Sequence, residues 1–202
     1  MINYLIKYGD KLGTALIEHL VLVGITLFIS LFMAALLTFL AMRSRLISKL
    51  LVYTFSVVYS VPSLALFAIL IPVTGLGKVT AIVVLVLYNQ YLLLRNFIAG
   101  LNDVEASIIE SAMGMGMTDT QILMKIRIPL SKRAIFTGIH LAIVSTIGIA
   151  TIAASINAGG LGTILFDGLR TMNVNKIVWG SILAAGLAVS ANYLLGKIEK
   201  AL

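Results

Sequence analysis

Few side chains in this sequence could take part in covalent or metal chemistry. Among 202 residues there are eight acidic residues, two histidines and no cysteine. Four of the acids fall between Asp103 and Asp119, while His19 and His140 lie in separate apolar stretches. Membrane hydrolases and transferases need acids, histidines or metal ligands gathered at one site. We therefore expect no catalytic residue and no metal site. An integral membrane enzyme is accordingly a disfavoured class of function for this chain.

Two glycine-rich stretches invite comparison with nucleotide-binding loops, and neither meets the pattern. A P-loop has a glycine, four residues and then Gly-Lys-Ser/Thr, but Pro72 stands at the first position and Val79 follows Lys78. Gly114-Met-Gly116 lacks the third glycine and the preceding strand of a dinucleotide fingerprint. We expect this chain to bind no cofactor of its own, ATP and Mg²⁺ included.

A polar stretch at residues 110–129 carries a pattern suited to docking another protein. Small side chains, which allow close approach to the backbone, alternate there with flexible apolar ones. The small residues are Ser111, Ala112, Gly114 and Gly116, and the flexible ones are Met113, Met115 and Met117. The methionines could equally pack this stretch against the base of its own domain, and the sequence leaves both interpretations open.

The same region has the signals for two short helices. Asn102 and Glu105 have the spacing of a capping box, in which the N-cap side chain and a side chain three residues later each bond to the other's backbone N–H. Thr118 and Gln121 have the same spacing. We predict that a helix begins at each pair.

The ends of these two helices are also marked. Gly114 and Gly116 should break the first, because glycine favours the left-handed conformation that follows a helix C-terminus. The second should end near Ile128, because Pro129 follows and a proline disfavours helical conformation in the residue before it. Two short helices joined by a glycine turn would form a compact projection.

The elements that must position this projection are membrane spans. Hydrophobic residues make up 60% of the chain and charged residues 11%, which excludes most soluble folds. The hydrocarbon core of a bilayer requires about 20 apolar residues per helix. Five stretches supply them: residues 20–42, 50–71, 79–94, 134–156 and 177–196. We predict an all-α, polytopic membrane protein with about five transmembrane helices in a single domain, residues 1–202.

Charge distribution predicts which side each loop occupies, because loops rich in Lys and Arg stay in the cytoplasm. Ten basic residues lie on one side and five on the other. The richer side comprises residues 43–49, 95–133 and 197–202, and the other comprises 1–19, 73–78 and 157–176. The N-terminus should therefore lie outside, with the C-terminus and the loop 95–133 in the cytoplasm. This topology and anionic headgroups account for the net charge of +7 without a nucleic-acid partner.

Residues 110–129 resemble the cytoplasmic coupling loop of the permease subunits of ABC importers. The family pattern is Glu-Ala-Ala, three residues, Gly, nine residues, Ile, one residue and Leu-Pro. Ser111 and Ile128 replace an alanine and a leucine of that pattern. The positions that match at the required spacing are Glu110, Ala112, Gly116, Ile126 and Pro129. The resemblance implies a type I ABC importer (MetI-like) permease fold, in a multi-pass protein of the prokaryotic plasma or inner membrane.

The same resemblance implies partners and a role for the loop. Separate ABC ATPase subunits would bind ATP and Mg²⁺, and an extracytoplasmic substrate-binding protein would deliver the cargo. A second permease, either another copy or a paralogue, and membrane lipid complete the expected partners. ATP-driven closure of the ATPases would drive alternating access through the loop. The expected coupling residues are Glu110, Ser111, Ala112, Met113, Gly114, Met115, Gly116, Met117, Thr118, Ile126 and Pro129.

Further segments, in the same order along the chain, resemble permeases for the osmoprotectants glycine betaine, carnitine and choline. They include Ser60-Val-Pro-Ser-Leu-Ala-Leu66, Leu94-Arg-Asn96, Gly148-Ile-Ala-Thr-Ile-Ala-Ala154 and Gly159-Gly-Leu-Gly162. The chain departs from that branch in lacking a proline shortly before Arg95 and in having His140 where an arginine is expected. The alternative cargoes are ergothioneine, a bile-acid-like compound or an amino acid such as methionine.

Candidates for the translocation pathway cluster around a proline in the second span. Pro62 frees backbone carbonyls and can kink this helix, and Pro72 should close it. The candidates are Ser56, Tyr59, Ser60, Pro62, Ser63 and, in the third span, Asn89. Hydrogen bonding between helices is the open alternative, and for His140 it is the preferred interpretation. Aromatic faces for a quaternary ammonium could come from Tyr53, Tyr59, Tyr88, Tyr91 and Trp179.

The outer side of the protein offers one candidate contact for a binding protein. Asn157, Gly159, Gly160 and Gly162 form an extracytoplasmic loop whose glycines allow tight or re-entrant backbone. A plain turn after a helix is the alternative. A secondary transporter is disfavoured, because the predicted spans carry no carboxylate for proton coupling.

Overall fold

Helices account for all regular secondary structure in the computed structural model, which describes residues 2–201. Met1 and Leu202, the two ends of the predicted domain, lie outside the described residues. The helices are α1 (Ile2–Ala41), α2 (Arg45–Ser60), α3 (Ser63–Thr74), α4 (Lys78–Asn102), α5 (Ala106–Gly114), α6 (Asp119–Ile122), α7 (Ile128–Leu130), α8 (Lys132–Ile152), α9 (Leu161–Arg170) and α10 (Val174–Ala201). A π-helical turn, Leu123–Arg127, joins α6 to α7, and a 3₁₀ turn, Ala153–Ile156, follows α8. The all-α prediction is confirmed.

The spans agree in number with the prediction. Four helices are long and apolar enough to cross a bilayer: Tyr4–Ala41, Lys78–Asn102, Lys132–Ile156 and Val174–Ala201. The helices α2 and α3, whose axes differ by 100°, are together apolar enough to form a fifth span as a bent pair. The helices run beyond the predicted spans, and α4 continues to Asn102, inside the region predicted as loop.

The bend between α2 and α3 follows from Pro62. A proline has no backbone N–H and moves the preceding residue away from helical dihedral angles, and Val61 accordingly has φ −72° and ψ 131°. The phenol of Tyr88, on α4, donates a hydrogen bond of 2.5 Å to the Val61 carbonyl. The break is therefore anchored to α4.

Pro72 does not close the second span, and that expectation is wrong. Pro72 lies inside α3, which ends at Thr74. A proline removes the hydrogen bond of its own N–H but leaves those of the following residues intact, so the helix can continue. It ends where Gly75 adopts φ +80° and donates its N–H to the Ile71 carbonyl at 2.8 Å.

α4 is the central helix of the bundle. In its most apolar segment 61% of the residues are buried, against 6% in α10. The helices α1, α2, α3 and α8 all pack against it. Buried side chains from α1, α4 and α8, among them Leu22, Leu85 and Ile147, form the main core.

A buried polar network joins the three helices of this core. The Asn89 side-chain amide donates to the Ser30 hydroxyl at 3.1 Å and to the Thr146 hydroxyl at 2.9 Å. The Thr146 hydroxyl lies 3.1 Å from the Asn89 carbonyl oxygen. Gln90 donates to the Ser30 backbone carbonyl at 3.1 Å. Asn89 and Gln90 are both buried between helices, away from lipid.

Glycines set how closely the helices approach. A Cβ added at Gly100 of α4 would lie 2.4 Å from the Cβ of Ala134 on α8. One added at Gly162 of α9 would lie 1.9 Å from the Thr151 carbonyl oxygen of α8. At both places the backbones are so close that no larger residue fits without displacement of a helix.

We predict that Gly162→Ala destabilises the folded protein while Gly148→Ala does not. The new methyl group at position 162 meets a backbone carbonyl that cannot rotate away, and overpacking of this kind costs about 3 kcal/mol. A Cβ at Gly148 has no neighbour within 4 Å, and alanine is the better helix former. The test is the midpoint temperature for loss of monodispersity in detergent, and equal midpoints for the two variants would contradict the prediction.

Candidate functional site

The polar stretch that the sequence singled out folds as a small helical hairpin. α5 and α6 pack through a core of their own, made of the buried side chains of Ile109, Ala112 and Ile122. Val104, Met117 and Ile126 pack around that core. We call residues 106–130 the hairpin. Its internal core makes it a compact body rather than an extended loop.

Of the two predicted helix starts in the hairpin, one is confirmed. Thr118 accepts a hydrogen bond from the Gln121 N–H at 3.3 Å, and its own N–H donates to the Gln121 side chain at 2.8 Å. This is a complete capping box. It fixes the entry into α6.

The predicted start at Asn102 is wrong. Asn102 is the last residue of α4, and α5 begins only at Ala106. Leu101 is buried against the bundle, so apolar packing carries α4 through the position where the cap was expected. Glu105 precedes α5 but caps nothing with its side chain, which accepts a hydrogen bond from the Ser107 hydroxyl at 2.5 Å.

Of the two predicted helix ends, one is confirmed and one is wrong. α5 ends at Gly114, and Gly116 has φ +82°, as the glycine turn requires. The second end is wrong, because the chain remains helical past Pro129 to Leu130. The π-helical turn carries the chain from α6 directly into α7. Pro129 lies in the first turn of α7, where its backbone nitrogen needs no hydrogen bond.

Of the three methionines that the sequence singled out in the hairpin, two face outward. Met113 and Met115 are 54% and 75% exposed, whereas Met117 packs into the hairpin's own core. Glu110 and Ser111 are exposed and Ala112 is buried. The outward surface is therefore small, apolar at its tip and acidic at Glu110.

Two side chains that sequence reasoning missed attach the hairpin to α4. Arg127 donates to the Leu101 carbonyl at 2.6 Å, and the Ser131 hydroxyl donates to the Gly100 carbonyl at 2.7 Å. The last carbonyls of a helix lack hydrogen-bond partners within that helix. A cation at this end is also attracted to the negative end of the helix dipole. A basic residue before a predicted helix stop indicates a cap for its own helix, so no signal in the sequence pointed to this contact with α4.

The candidate pathway residues of α2 are exposed or partly exposed. Tyr59 and Ser60 are exposed and Ser56 is partly exposed. The hydroxyls of Ser56 and Ser60 donate to carbonyls of their own helix, those of Tyr53 and Val57, at 2.8 Å and 2.7 Å. Neither serine bridges helices through these bonds, so their hydroxyl oxygens can still accept a hydrogen bond.

The structure does not bring Asn89 together with the other pathway candidates. Pro62 and Ser63 lie at the break between α2 and α3, close to the exposed side of α2. Asn89 is instead buried among α1, α4 and α8. In this conformation its amide serves helix packing, and the lining role stays a prediction for all six residues.

The candidate outer loop is tightly turned and held against α1. Asn157, Gly159 and Gly160 have φ of 64°, 85° and 77°. Glu18 accepts the Gly160 N–H at 2.9 Å, and a Cβ at Gly160 would lie 2.9 Å from the His19 ring. The loop therefore depends on α1, which sequence reasoning missed because the partners are far apart in the chain.

Next to this loop lies a cluster of charges on α9 and α10. Asp167 accepts a hydrogen bond from the Lys176 ammonium at 2.7 Å, and Arg170 and Lys11 lie 3.6 Å and 4.0 Å from the same carboxylate. The hydrogen bond from Lys176, helped by the other cations, lowers the pKa of Asp167. Asp167 thus ties the N-terminal part of α1, α9 and α10 together.

His140 is confirmed as a hydrogen-bond partner between helices. Its Nδ1 lies 2.6 Å from Asn192 Oδ1, and its Nε2 lies 3.5 Å from a Glu199 carboxylate oxygen. Both partners are on α10, which packs on α8.

Comparison with known sequences gives consistent matches. The family described as binding-protein-dependent transport system inner membrane component matches residues 16–200. The carnitine transport permease protein OpuCB of Listeria monocytogenes is 40% identical over 157 residues, which is 78% of this chain and 72% of that protein. The choline transport system permease protein OpuBB of Bacillus subtilis is 31% identical over 202 residues, which is 100% of this chain and 93% of that protein.

Solved structures share the fold. A chain of the MetNI methionine ABC transporter in an inward-facing conformation superposes with a TM-score of 0.84 at 20% identity, covering 94% of this chain and 95% of that one. A chain of an amino acid ABC transporter crystallised with histidines gives a TM-score of 0.82 at 17% identity, covering 98% and 97%. The predicted MetI-like permease fold is confirmed.

We predict that the charge cluster makes the outer end of the protein less stable in acid. A carboxyl whose pKa is lowered by folding stabilises the folded state above its unfolded pKa, about 3.9, and this stabilisation is lost as pH falls through the folded pKa. Thermal midpoints between about pH 6 and pH 3 should therefore fall more steeply for the wild type than for Asp167→Asn. Asp103→Asn, at the exposed end of α4, is the control, and parallel curves for wild type and Asp167→Asn would refute the prediction.

Proposed function

The chain belongs to the family of binding-protein-dependent transport system inner membrane components, and on this premise we propose that it is the permease subunit of an ATP-driven importer of quaternary-ammonium osmoprotectants. Glycine betaine, carnitine and choline are the proposed cargo. The observation that carries the proposal is similarity along the whole chain to a choline permease, together with higher identity to a carnitine permease over most of it. The likeness to a methionine transporter concerns the fold.

The hairpin is the proposed contact with the ATPase subunits. A contact that transmits movement must be rigid and firmly joined to the membrane helices. The internal core of Ile109, Ala112 and Ile122 supplies the first property. The hydrogen bonds of Arg127 and Ser131 to the end of α4 supply the second. Met113, Met115 and Glu110 offer the outward surface for the partner.

The proposed orientation has the hairpin in the cytoplasm and the 157–160 loop outside. Support comes from α1, which has one of these features near each end. Phe39, Met42 and Arg43 line a cavity with hairpin residues, while Glu18 holds the outer loop. Between residues 18 and 42 a helix rises about 36 Å, enough to cross the hydrocarbon core. The charge asymmetry supports an orientation with the N-terminus outside and the C-terminus in the cytoplasm.

The remaining partners follow from exposed surfaces. α2 has no buried residue, and α10 has only Gly180 buried. Faces this apolar and this exposed need lipid or another protein against them. We assign α10 chiefly to lipid and the polar side of α2 to a pathway completed by a second permease, either a copy or a paralogue. The outer loop is the proposed contact for the substrate-binding protein.

The test of this function is transport by a purified complex. The permease, its partner permease if one exists, the ATPase and the binding protein encoded beside it would be reconstituted into liposomes with internal ATP. We expect ATP-dependent uptake of labelled glycine betaine, carnitine or choline that requires the binding protein. If the complex takes up methionine, ergothioneine or a bile acid and none of these three compounds, the proposed cargo is wrong. Absence of any ATP-dependent uptake would contradict the function.

We predict that Gly116→Asp leaves the complex assembled but abolishes the ATPase activity that substrate-loaded binding protein stimulates. Gly116 has φ +82°, which an aspartate adopts only with strain, and the new carboxylate adds charge beside the exposed Met115. The measurement is phosphate release with and without loaded binding protein.

Asn102→Asp is the matched control for this prediction. It adds the same carboxylate at the exposed end of α4, outside the hairpin, and should keep most of the stimulation. Normal stimulation in Gly116→Asp, or equal loss in both variants, would speak against a specific contact at the hairpin.

A further inference from the structure

A groove between α2 and α4 combines aromatic faces with basic side chains. Its volume is about 810 Å³, within the range of about 300–1,000 Å³ that holds small ligands. α2 contributes Lys49, Tyr53 and Ser56 to its walls, and α4 contributes Tyr91 and Arg95. The side chain of Tyr53 is 70% exposed, so its ring is available to a ligand.

Tyr53 and Tyr91 form the aromatic wall of this groove, and the ring of Tyr91 is held in place by neighbouring rings. The rings of Tyr59 and Tyr91 lie 4.9 Å apart, and Tyr88 meets Tyr59 edge to face at 5.5 Å. Tyr88 is itself fixed by its hydrogen bond to Val61 at the helix break. A pre-positioned wall of tyrosines can bind a cation without the cost of ordering its rings.

Arg95 lies beside Tyr91 at one edge of the aromatic wall. Its Nη1 donates to the Tyr91 hydroxyl at 2.7 Å, and its guanidinium carbon lies 5.8 Å from the centre of that ring. A guanidinium has five donors, so this contact leaves capacity for a carboxylate. The residues that line the groove include the cations Arg95 and Lys49 and none of the acidic residues among those described.

These features match one class of ligand. A bare cation would gain from the tyrosine faces but would be repelled by Arg95 and Lys49. A betaine carries a quaternary ammonium and a carboxylate a few bonds apart. It can place the ammonium on a tyrosine face and the carboxylate on the guanidinium beside it.

We propose that this groove is a binding site within the permease for zwitterionic betaines. Arg95 binds the carboxylate, and Tyr53 and Tyr91 contact the quaternary ammonium. Glycine betaine and carnitine fit this description, whereas choline lacks the carboxylate and gains only the aromatic contacts. The inference rests on the proposed function, and it adds a selection between zwitterions and cations after the binding protein has released its cargo.

The test compares uptake of carnitine and choline by the reconstituted importer carrying Arg95→Gln. At saturating loaded binding protein, we expect maximal carnitine uptake to fall about tenfold, the loss of one charge-assisted pair, while choline uptake does not fall, because the variant removes a charge that repels a bare cation. Arg95→Lys, which keeps the charge but not the fork geometry, should recover part of the carnitine uptake. Arg45→Gln, an exposed arginine at the start of α2, is the matched control and should leave both substrates unaffected.

Loss of carnitine and choline uptake to the same extent would overturn the proposal, because it would mean a structural role for Arg95. Unchanged uptake of both would overturn it as well. If Arg95→Gln fails to assemble, the exposed Tyr53→Leu decides, since loss of an aromatic face should lower uptake of both substrates about threefold or more and normal uptake would refute the site. Wild-type uptake of neither substrate, and of no glycine betaine either, would instead refute the proposed cargo on which this inference rests.

Discussion

A bilayer offers no water to a polar group, so each polar side chain inside the bundle must find its partner in the protein. The packing of this chain follows from that constraint at Asn89. Its amide meets Ser30 and Thr146, and these contacts specify which faces of α1 and α8 turn towards α4. Each such bond contributes little, about 0.6 kcal/mol on average in membranes, but an unmatched amide would cost several times more. The network therefore selects one arrangement of three otherwise interchangeable apolar helices.

Once α4 is fixed at the centre, the other features attach to it in order along its length. Tyr88 holds the break between α2 and α3, Tyr91 and Arg95 form one wall of the groove, and the last carbonyls receive the hairpin. One helix thus connects the surface that would receive force, the groove and the bent span. A displacement of the end that carries the hairpin cannot leave the other attachments unchanged, because they share a rigid element.

Local signals predicted what local interactions determine. Thr118 and Gln121 form their capping box because both partners lie within one turn, and Pro62 breaks the second span through its immediate neighbour Val61, which it moves out of helical conformation. Asn102 failed as a helix start because burial of Leu101 against the bundle outweighs a cap, and such burial cannot be read from spacing. The contact of Glu18 with Gly160 joins residues 142 positions apart, which no single-sequence pattern encodes. The polar character of Asn89 indicated that it faces protein, but its partners on two other helices became known only from the fold.

The contact between Gly100 and Ala134 has a mechanical consequence. Because a side chain is missing on one helix and is only a methyl group on the other, no rotamers interlock between these two residues, whereas Phe97 packs against Gly138 and Asn89 bonds to Thr146 elsewhere along the same pair of helices. The crossing would be the fulcrum of any tilt of α4 against α8, and these other contacts would have to adjust. Gly100 lies twelve residues, or about 18 Å along the helix axis, from Tyr88, so a rotation of about 3° at the fulcrum displaces the tyrosine by about 1 Å. A small angular change beside the hairpin is thereby converted into a displacement comparable to a bond length at the bend of the second span.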